Sequence, residues 1–448
     1  MAGASDKARF YLENSASELN ELERKKIFTR EEIVSIAKKR SDFEHTINAR
    51  GSHPSDYVRY IEFEKNVGAL RRKRVKRLGV KAPGSGQKTI FFLYNRAVKK
   101  FPGDLDLWMQ YIEFARKEKA FKKLNEIFTA VVRLHPTKPG LWIYAAHYFM
   151  ESQADITNAR SYMQRGLRFN KSSENLWLEY AKLETIYIAK IAGRRKVLGL
   201  DVDRTKQADD QDEDAEMIAL PSVTAEDINP TLGEDEGADE VALQNLAAAP
   251  VLTGAIPIAI FDSAMKQFHN SENLAEQFVE MFADFDLLPC LKQILGHILQ
   301  HLQQAAPRSV VTFACDFRLQ FAGIQPTSPM FPSALRTALE TLDSAIKQNS
   351  DATAQLARLA IRQLLPVLRA VEDAEESALK KVLQSSVRKY SRLLEENSPN
   401  GIGDAIADLV ESLSRGSKEA DARRLVQSSA RQYPNNERLS QLQKSLET

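Results

Sequence analysis

Cysteine is nearly missing: Cys290 and Cys315 are the only two in 448 residues. Two thiols cannot build a disulfide framework, and no second pair stands at zinc-ligand spacing. A reducing, intracellular compartment is therefore expected. No run of 18 or more apolar residues occurs, so no membrane span is expected. The opening MAGASDKARFYLE lacks the apolar core of a secretory signal. A phosphate-binding loop needs glycine directly before its lysine and another six places before it. Around Lys88 those places hold Gln87 and Ala82, so Gly84 to Thr89 reads as a surface loop. RNA-recognition, KH and zinc-finger signatures are absent too, which argues against sequence-specific readout of RNA. No nucleophile–base pair or ligand cluster emerges, so neither catalysis, cofactor, metal nor small-molecule substrate is expected.

Tryptophan is also scarce, and its placement organises the chain. The three are Trp108, Trp142 and Trp177, spaced 34 and 35 residues apart. Tyr111, Ala145 and Tyr180 follow each by three places, with Tyr148 three further on in the second unit. Apolar Val98, Val132 and Leu167 precede each by ten. Phe101 and Pro102, His135 and Pro136, then Phe169 and Asn170 mark the junctions. A fixed period in the thirties signals helix-turn-helix repeats, in which one hairpin cannot cover its own apolar face and must stack on the next. A fourth unit lies upstream, with Tyr57 in the Trp place and Tyr60 in the Tyr place. The loop LGVKAPGSGQK, residues 78–88, accounts for its longer gap.

Before it, residues 8–48 read as two helices, the second opened by the capping-box form of Thr29 and Glu32. From 201 to 250 fifteen Asp and Glu meet only Arg204 and Lys206, without one aromatic residue. Such a tract cannot bury enough surface to offset chain entropy and reads as a flexible acidic linker or tethered insertion. Beyond it the period returns in weaker form: Phe261 lies in a helix-B signature, Ala275 takes the Trp place, Phe278 the Tyr place and Glu280 the acidic one. Helices are expected at about 288–304, 308–321, 331–348, 351–371, 375–395 and 402–414, with a closing helix from Arg438 to Leu446. The expected fold is all-α, an α-solenoid. Its divisions are an N-terminal helical segment (1–50), N-terminal repeats (51–200), the acidic linker (201–250) and degenerate repeats (251–448).

The sharpest charged feature is Arg71, Arg72, Lys73, Arg74, Lys76 and Arg77. Two readings are open: nuclear import or phosphate contact on one side, a solvated helix end on the other. His297 and His301 lie one helical turn apart, a spacing metals use, but no second ligand cluster accompanies them. Glu62, Glu113 and Glu184 recur on helix A and are expected to bond between helices rather than to catalyse.

With Trp, Tyr and Glu on helix A and an aromatic residue with Pro after helix B, the repeat resembles the half-a-tetratricopeptide (HAT) family of RNA-processing proteins. The block RFYLENSASELNELERKKIFTREEIVSIAKKRSDFEHTI, followed by DYVRYIEFEKNVGALRRKRVKRL, resembles in particular the U3 small nucleolar RNA-associated HAT subunits of the small-subunit processome. What this resemblance implies is a scaffold beside WD40 β-propeller subunits, in contact with the U3 small nucleolar RNA and pre-rRNA ribonucleoprotein. It further implies support for early pre-18S rRNA cleavage in the nucleolus. A splicing or 3′-end-processing HAT scaffold, or a HAT protein binding RNA directly, is the alternative.

Overall fold

In a computed structural model the chain is described over residues 2–80, 86–197, 253–285, 288–324, 328–349, 352–372, 377–397, 401–415, 419–433 and 436–447. Nineteen helices and no strand occur among the described residues. The architecture is an α-solenoid of helical hairpins. The acidic tract at 201–250 lies outside the described residues, as do 81–85 of the 78–88 loop and the Pro434–Asn435 junction; of that loop, Leu78 ends one helix and Gln87 and Lys88 open the next. Two compact units form, Met1–Ala145 and Ala146–Thr448.

In the first unit α1 (Ala2–Arg24), α2 (Arg30–Asn48), α3 (Pro54–Leu78), α4 (Gln87–Lys100), α5 (Leu105–Lys117) and α6 (Phe121–Leu134) pack in succession. Local chemistry explains the segments. Thr29 caps α2 by accepting from the Glu32 N–H while Glu32 accepts from the Thr29 N–H, the reciprocal bonds of the expected capping box. Asp104 caps α5 through two N–H groups. On α6, Leu124, Ile127, Phe128, Val131 and Val132 are all buried, and their spacing is that of one helical face. Leu19, Leu22, Ile27, Phe28, Ile33 and Ile36 form a separate small core that takes in Phe63, Val67 and Val75 of α3.

α7 (Pro139–Ser152) carries the boundary between the units. The second unit continues with α8 (Ile156–Phe169), α9 (Glu174–Val197), α10 (Ala255–Gln267), α11 (Glu272–Ala283), α12 (Leu291–Ala305), α13 (Val310–Phe321) and α14 (Phe331–Gln348). α15 (Thr353–Glu372), α16 (Ser377–Asn397), α17 (Gly401–Arg415), α18 (Glu419–Gln432) and α19 (Glu437–Glu447) complete it. Alternate helices touch in order: α9 with α11, α11 with α13, α13 with α15, α15 with α17, and α17 with α19. α9 also packs on α10, although fifty-odd residues of chain separate them. These two helices thus pair as the arms of one hairpin.

One turn geometry recurs down the chain. The residues closing α4, α6 and α8, Phe101, His135 and Asn170, have φ of −123°, −124° and −126°. Each donates its N–H to the carbonyl four residues back. Phe268 and Asn349 close α10 and α14 with the same bond. The degenerate half therefore keeps this turn bond after losing its tryptophans.

At the C-terminal end Asn436 caps α19, accepting from the Leu439 N–H and donating to Asp404 at 3.0 Å each. A Cβ on Gly403 would stand 2.6 Å from the Asn436 amide nitrogen. Gly403→Ala is therefore expected to cost about 1–2 kcal/mol, the size of a lost cap, through the closing hairpin. Faster amide exchange confined to α17–α19 is the measurement; unchanged exchange there would refute it.

Candidate functional site

Each tryptophan does the same thing. The indole N–H of Trp108 donates to the Pro102 carbonyl at 3.0 Å, that of Trp142 to Pro136 at 2.9 Å, and that of Trp177 to Lys171 at 3.2 Å. All three reach six residues back, across the turn between hairpins. His135 reaches the Pro102 carbonyl as well, at 2.7 Å. Trp108 and Trp142 are buried, while Trp177 is half-buried. Tyr57, Tyr60, Tyr111, Tyr148, Tyr180, Phe261 and Phe278 are buried. Tyr60 stacks on Phe43 at 5.0 Å and Tyr111 on Tyr94 at 5.1 Å, so each packs back on the preceding helix B. Phe261 meets Phe278 edge-on at 5.4 Å.

Glu184 makes the expected bond between helices, but the other two acidic positions differ from the sequence expectation. Glu62 and Glu113 are exposed, and the buried bond belongs to residues two places later in the register. Glu64 accepts from Nε and Nη2 of Arg40 at 2.7 and 2.8 Å, and Glu184 from Nε and Nη2 of Arg160 at 2.6 and 2.7 Å. Both arginines stand 24 residues before their glutamates. In the two units between, the matching places hold Phe91 and Ala115, then Asn125 and Phe149, and Phe91 packs on Phe114 instead. The 24-residue Arg–Glu spacing shared by these two units was readable, but at Glu64 an offset of two residues hid it behind the nearer Glu62. Glu44 adds a further buried pair with Arg96, at 2.9 and 3.0 Å, and Arg96 lies 4.1 Å from the Tyr11 ring centre.

The basic segment belongs to the last two turns of α3 and divides by helical face. Arg71 is buried and donates to Glu18 of α1 at 2.6 Å. Arg74 makes two bonds to Glu32, at 2.6 and 2.7 Å, and one to the Ile27 carbonyl at 3.1 Å, with its guanidinium over Phe28. Three residues apart, these two share one side of the helix and fasten α1 and α2 to α3. Arg72, Lys73, Lys76 and Arg77 occupy the more exposed side, Arg72 lying 3.9 Å from Glu118. Beside Arg72 is a hollow of about 420 Å³ between α3, α4 and α5, with Lys65 and Lys117 on its wall. Lys65 donates to the Tyr94 hydroxyl at 2.9 Å, and partial burial lowers its pKa. Burial pushes Tyr94 up to about 12.

The Arg74 guanidinium, assisted by the Thr29 N–H, holds the Glu32 carboxyl at about 2, below its ordinary 4.5. A depressed carboxyl stabilises the fold above its unfolded pKa and loses that contribution as pH falls toward the folded one. Glu32→Gln is thus expected to lower the melting temperature at neutral pH, with the difference shrinking between about 4.5 and about 2. Melting curves of both chains across that range check it; a gap that stays constant would show the charge to be idle.

The remaining candidates are accounted for structurally. His297 bonds Asp262 at 2.7 Å and His301 meets Phe261 edge-on at 5.4 Å. Among the described residues no three His, Cys, Asp or Glu side chains are placed to hold a metal ion. Cys290 and Cys315 are buried thiols, raised by burial to about 11 and about 12. No described helix is long and apolar enough to cross a membrane.

A family model described as U3 small nucleolar RNA-associated protein 6 matches residues 12–96, and one described as the PRP39 N-terminal HAT repeat matches residues 93–196. The chain is similar to the U3 small nucleolar RNA-associated protein 6 of Schizosaccharomyces pombe, with 36% identity over 199 residues, 43% of this chain and 41% of that protein. The human homolog is 32% identical over 185 residues, 40% of this chain and 31% of its own length. The Dictyostelium discoideum homolog is 26% identical over 268 residues, 58% and 42% of the two chains. The chain thus spans less than half the length of these relatives.

Proposed function

We propose that this chain, whose N-terminal region belongs to the U3 small nucleolar RNA-associated protein 6 family, is a non-catalytic scaffold of the small-subunit processome. Its role would be in ribosome biogenesis, in the nucleolus, through association with the U3 ribonucleoprotein and its pre-rRNA. Its nearest neighbours would be WD40 β-propeller subunits at the 5′ external transcribed spacer, where early pre-18S rRNA cleavages occur. The observation that carries this reading is where the family match falls. Residues 12–96 make up α1 to α4, the helices that Arg40, Arg71, Arg74 and Arg96 lock together through buried or half-buried ion pairs. A surface held that rigidly suits a subunit whose task is to position others. In this reading segment 1–50 and repeats 51–200 carry the family-specific surface, 201–250 is a linker, and 251–448 extends the array.

The test is affinity purification of the tagged full chain with identification of the RNA and proteins recovered. Recovery of U3 small nucleolar RNA with propeller subunits is expected; recovery of spliceosomal components instead would overturn the assignment. That second reading is favoured by the similarity of residues 93–196 to a PRP39 repeat. Direct RNA binding has its own measure. If Lys73, Lys76 and Arg77 touch phosphates, reversing all three should flatten the log–log salt dependence of RNA binding by about 0.7–0.9 for each phosphate no longer neutralised. An unchanged slope would remove α3 from any RNA surface.

A further inference from the structure

We propose that a groove in the second unit, between α11, α13, α15 and α17, docks an extended peptide segment rich in lysine and arginine from a protein partner. This goes beyond the processome reading and holds whichever assembly the chain joins. The groove encloses about 860 Å³ along a row of stacked helices, the open, elongated surface that solenoids offer to linear ligands.

Its charges are layered. Glu272, Glu276 and Glu280 follow at four-residue intervals and so share one side of α11. Asp408 and Glu411 face them from α17. The guanidiniums between are already engaged: Arg362 spans Glu276 at 3.0 Å and Glu280 at 2.9 Å, and Arg358 pairs with Asp408. Arg438 of α19 braces Asp408 and Glu411 from outside the groove, at 3.0 and 2.9 Å. On the groove wall itself five carboxylates stand against Arg308, Arg358 and Arg362, and Arg438 does not reverse that surplus. Glu272 accepts a bond from the Ser309 hydroxyl, a neutral partner that leaves its charge to the groove. A concave surface focuses such a surplus, drawing cations and repelling phosphate chains. That argues against RNA as the occupant. A bare metal ion is no better served, since no three ligand side chains converge among the described residues.

A second observation points to peptide backbone. Asn273 and Gln277 on α11 and Gln355 on α15 line the same groove, with Asn273 and Gln355 exposed and Gln277 half-buried. Each carboxamide offers one acceptor and two donors, the complement of a peptide N–H and C=O. Three carboxamides at the open surface of a carboxylate-edged groove suit main chain in the middle and cationic side chains at the margins.

The test uses the labelled full chain on an array of short synthetic peptides graded from net acidic to net basic. Selection of basic peptides is expected. The variant Glu272→Gln/Asn273→Ala/Gln355→Ala alters only side chains at the groove's surface and breaks none of its ion pairs. It should weaken binding of the selected peptides about tenfold, and Glu272→Lys should weaken it further. An unchanged melting curve controls for folding. Selection of neutral or acidic peptides would overturn the proposal. So would basic peptides that bind the triple variant as tightly as the wild type, since they would then be held elsewhere, with the acidic residues of 201–250 as the obvious place. Neither result bears on recovery of the U3 ribonucleoprotein.

Discussion

Glu64→Ala is expected to destabilise the α2–α3 hairpin by about 3–5 kcal/mol, the range for removing one partner of a buried ion pair. Glu64 and Arg40 side chains are 4% and 7% exposed, and two short bonds join them. Burial by itself would lower the Arg40 pKa; the charge and hydrogen bonds of Glu64 outweigh it and hold the pKa above its ordinary value. Without Glu64 the guanidinium would keep its charge in a site closed to water. The cost therefore comes from the orphaned arginine more than from the lost attraction. Replacing both residues with apolar ones of similar size should recover most of the stability, because desolvation offsets much of what a buried pair contributes. Chemical denaturation of the two single variants and the double variant checks this. If Glu64→Ala changed stability no more than Glu13→Ala, which breaks an exposed pair with Arg9, the burial argument would fail.

Trp142→Ala carries a comparable expectation, about 3–5 kcal/mol, from the loss of a large buried side chain and the cavity left behind. Trp142 is 3% exposed and also ties the turn through its bond to Pro136. Trp142→Phe separates the two contributions. It keeps most of the apolar volume but removes the indole N–H from the Pro136 carbonyl, which should cost about 0.5–1.5 kcal/mol. Trp177→Ala should cost less than Trp142→Ala, since Trp177 is only half-buried and its bond is longer. Thermal melts of the full chain with each substitution give the order. Equal losses at the two tryptophans would mean that exposure does not set the cost.

Both predictions rest on features with different visibility in the sequence. The tryptophan bond is local, reaching six residues, and therefore left a trace in a window of one repeat: Pro102 before Trp108 and Pro136 before Trp142. The helix boundaries were legible for the same reason. Expected helices at 308–321, 331–348 and 402–414 match Val310–Phe321, Phe331–Gln348 and Gly401–Arg415, since caps and apolar periodicity act within a few turns. The Arg40–Glu64 pair needed a comparison across 24 residues and a register that the more prominent Glu62 and Glu113 obscured.

Read alone, the amino-acid order settled the all-α class, the hairpin pitch and the residues that pin each turn, because those depend on dihedral preference, helical period and bonds within one repeat. The packed chain was needed to sort the charges. Whether Arg74 or Lys76 faces water depends on what α1 and α2 cover, and a row of basic letters carries no record of that. The same holds for the groove of the second unit. Its carboxylates at Glu272 and Glu411 lie far apart in the chain, and only the stacking of four helices brings them onto one surface. Local rules act through covalent neighbours; burial and electrostatic pairing act through space, and there the order of residues gives way to the order of packing.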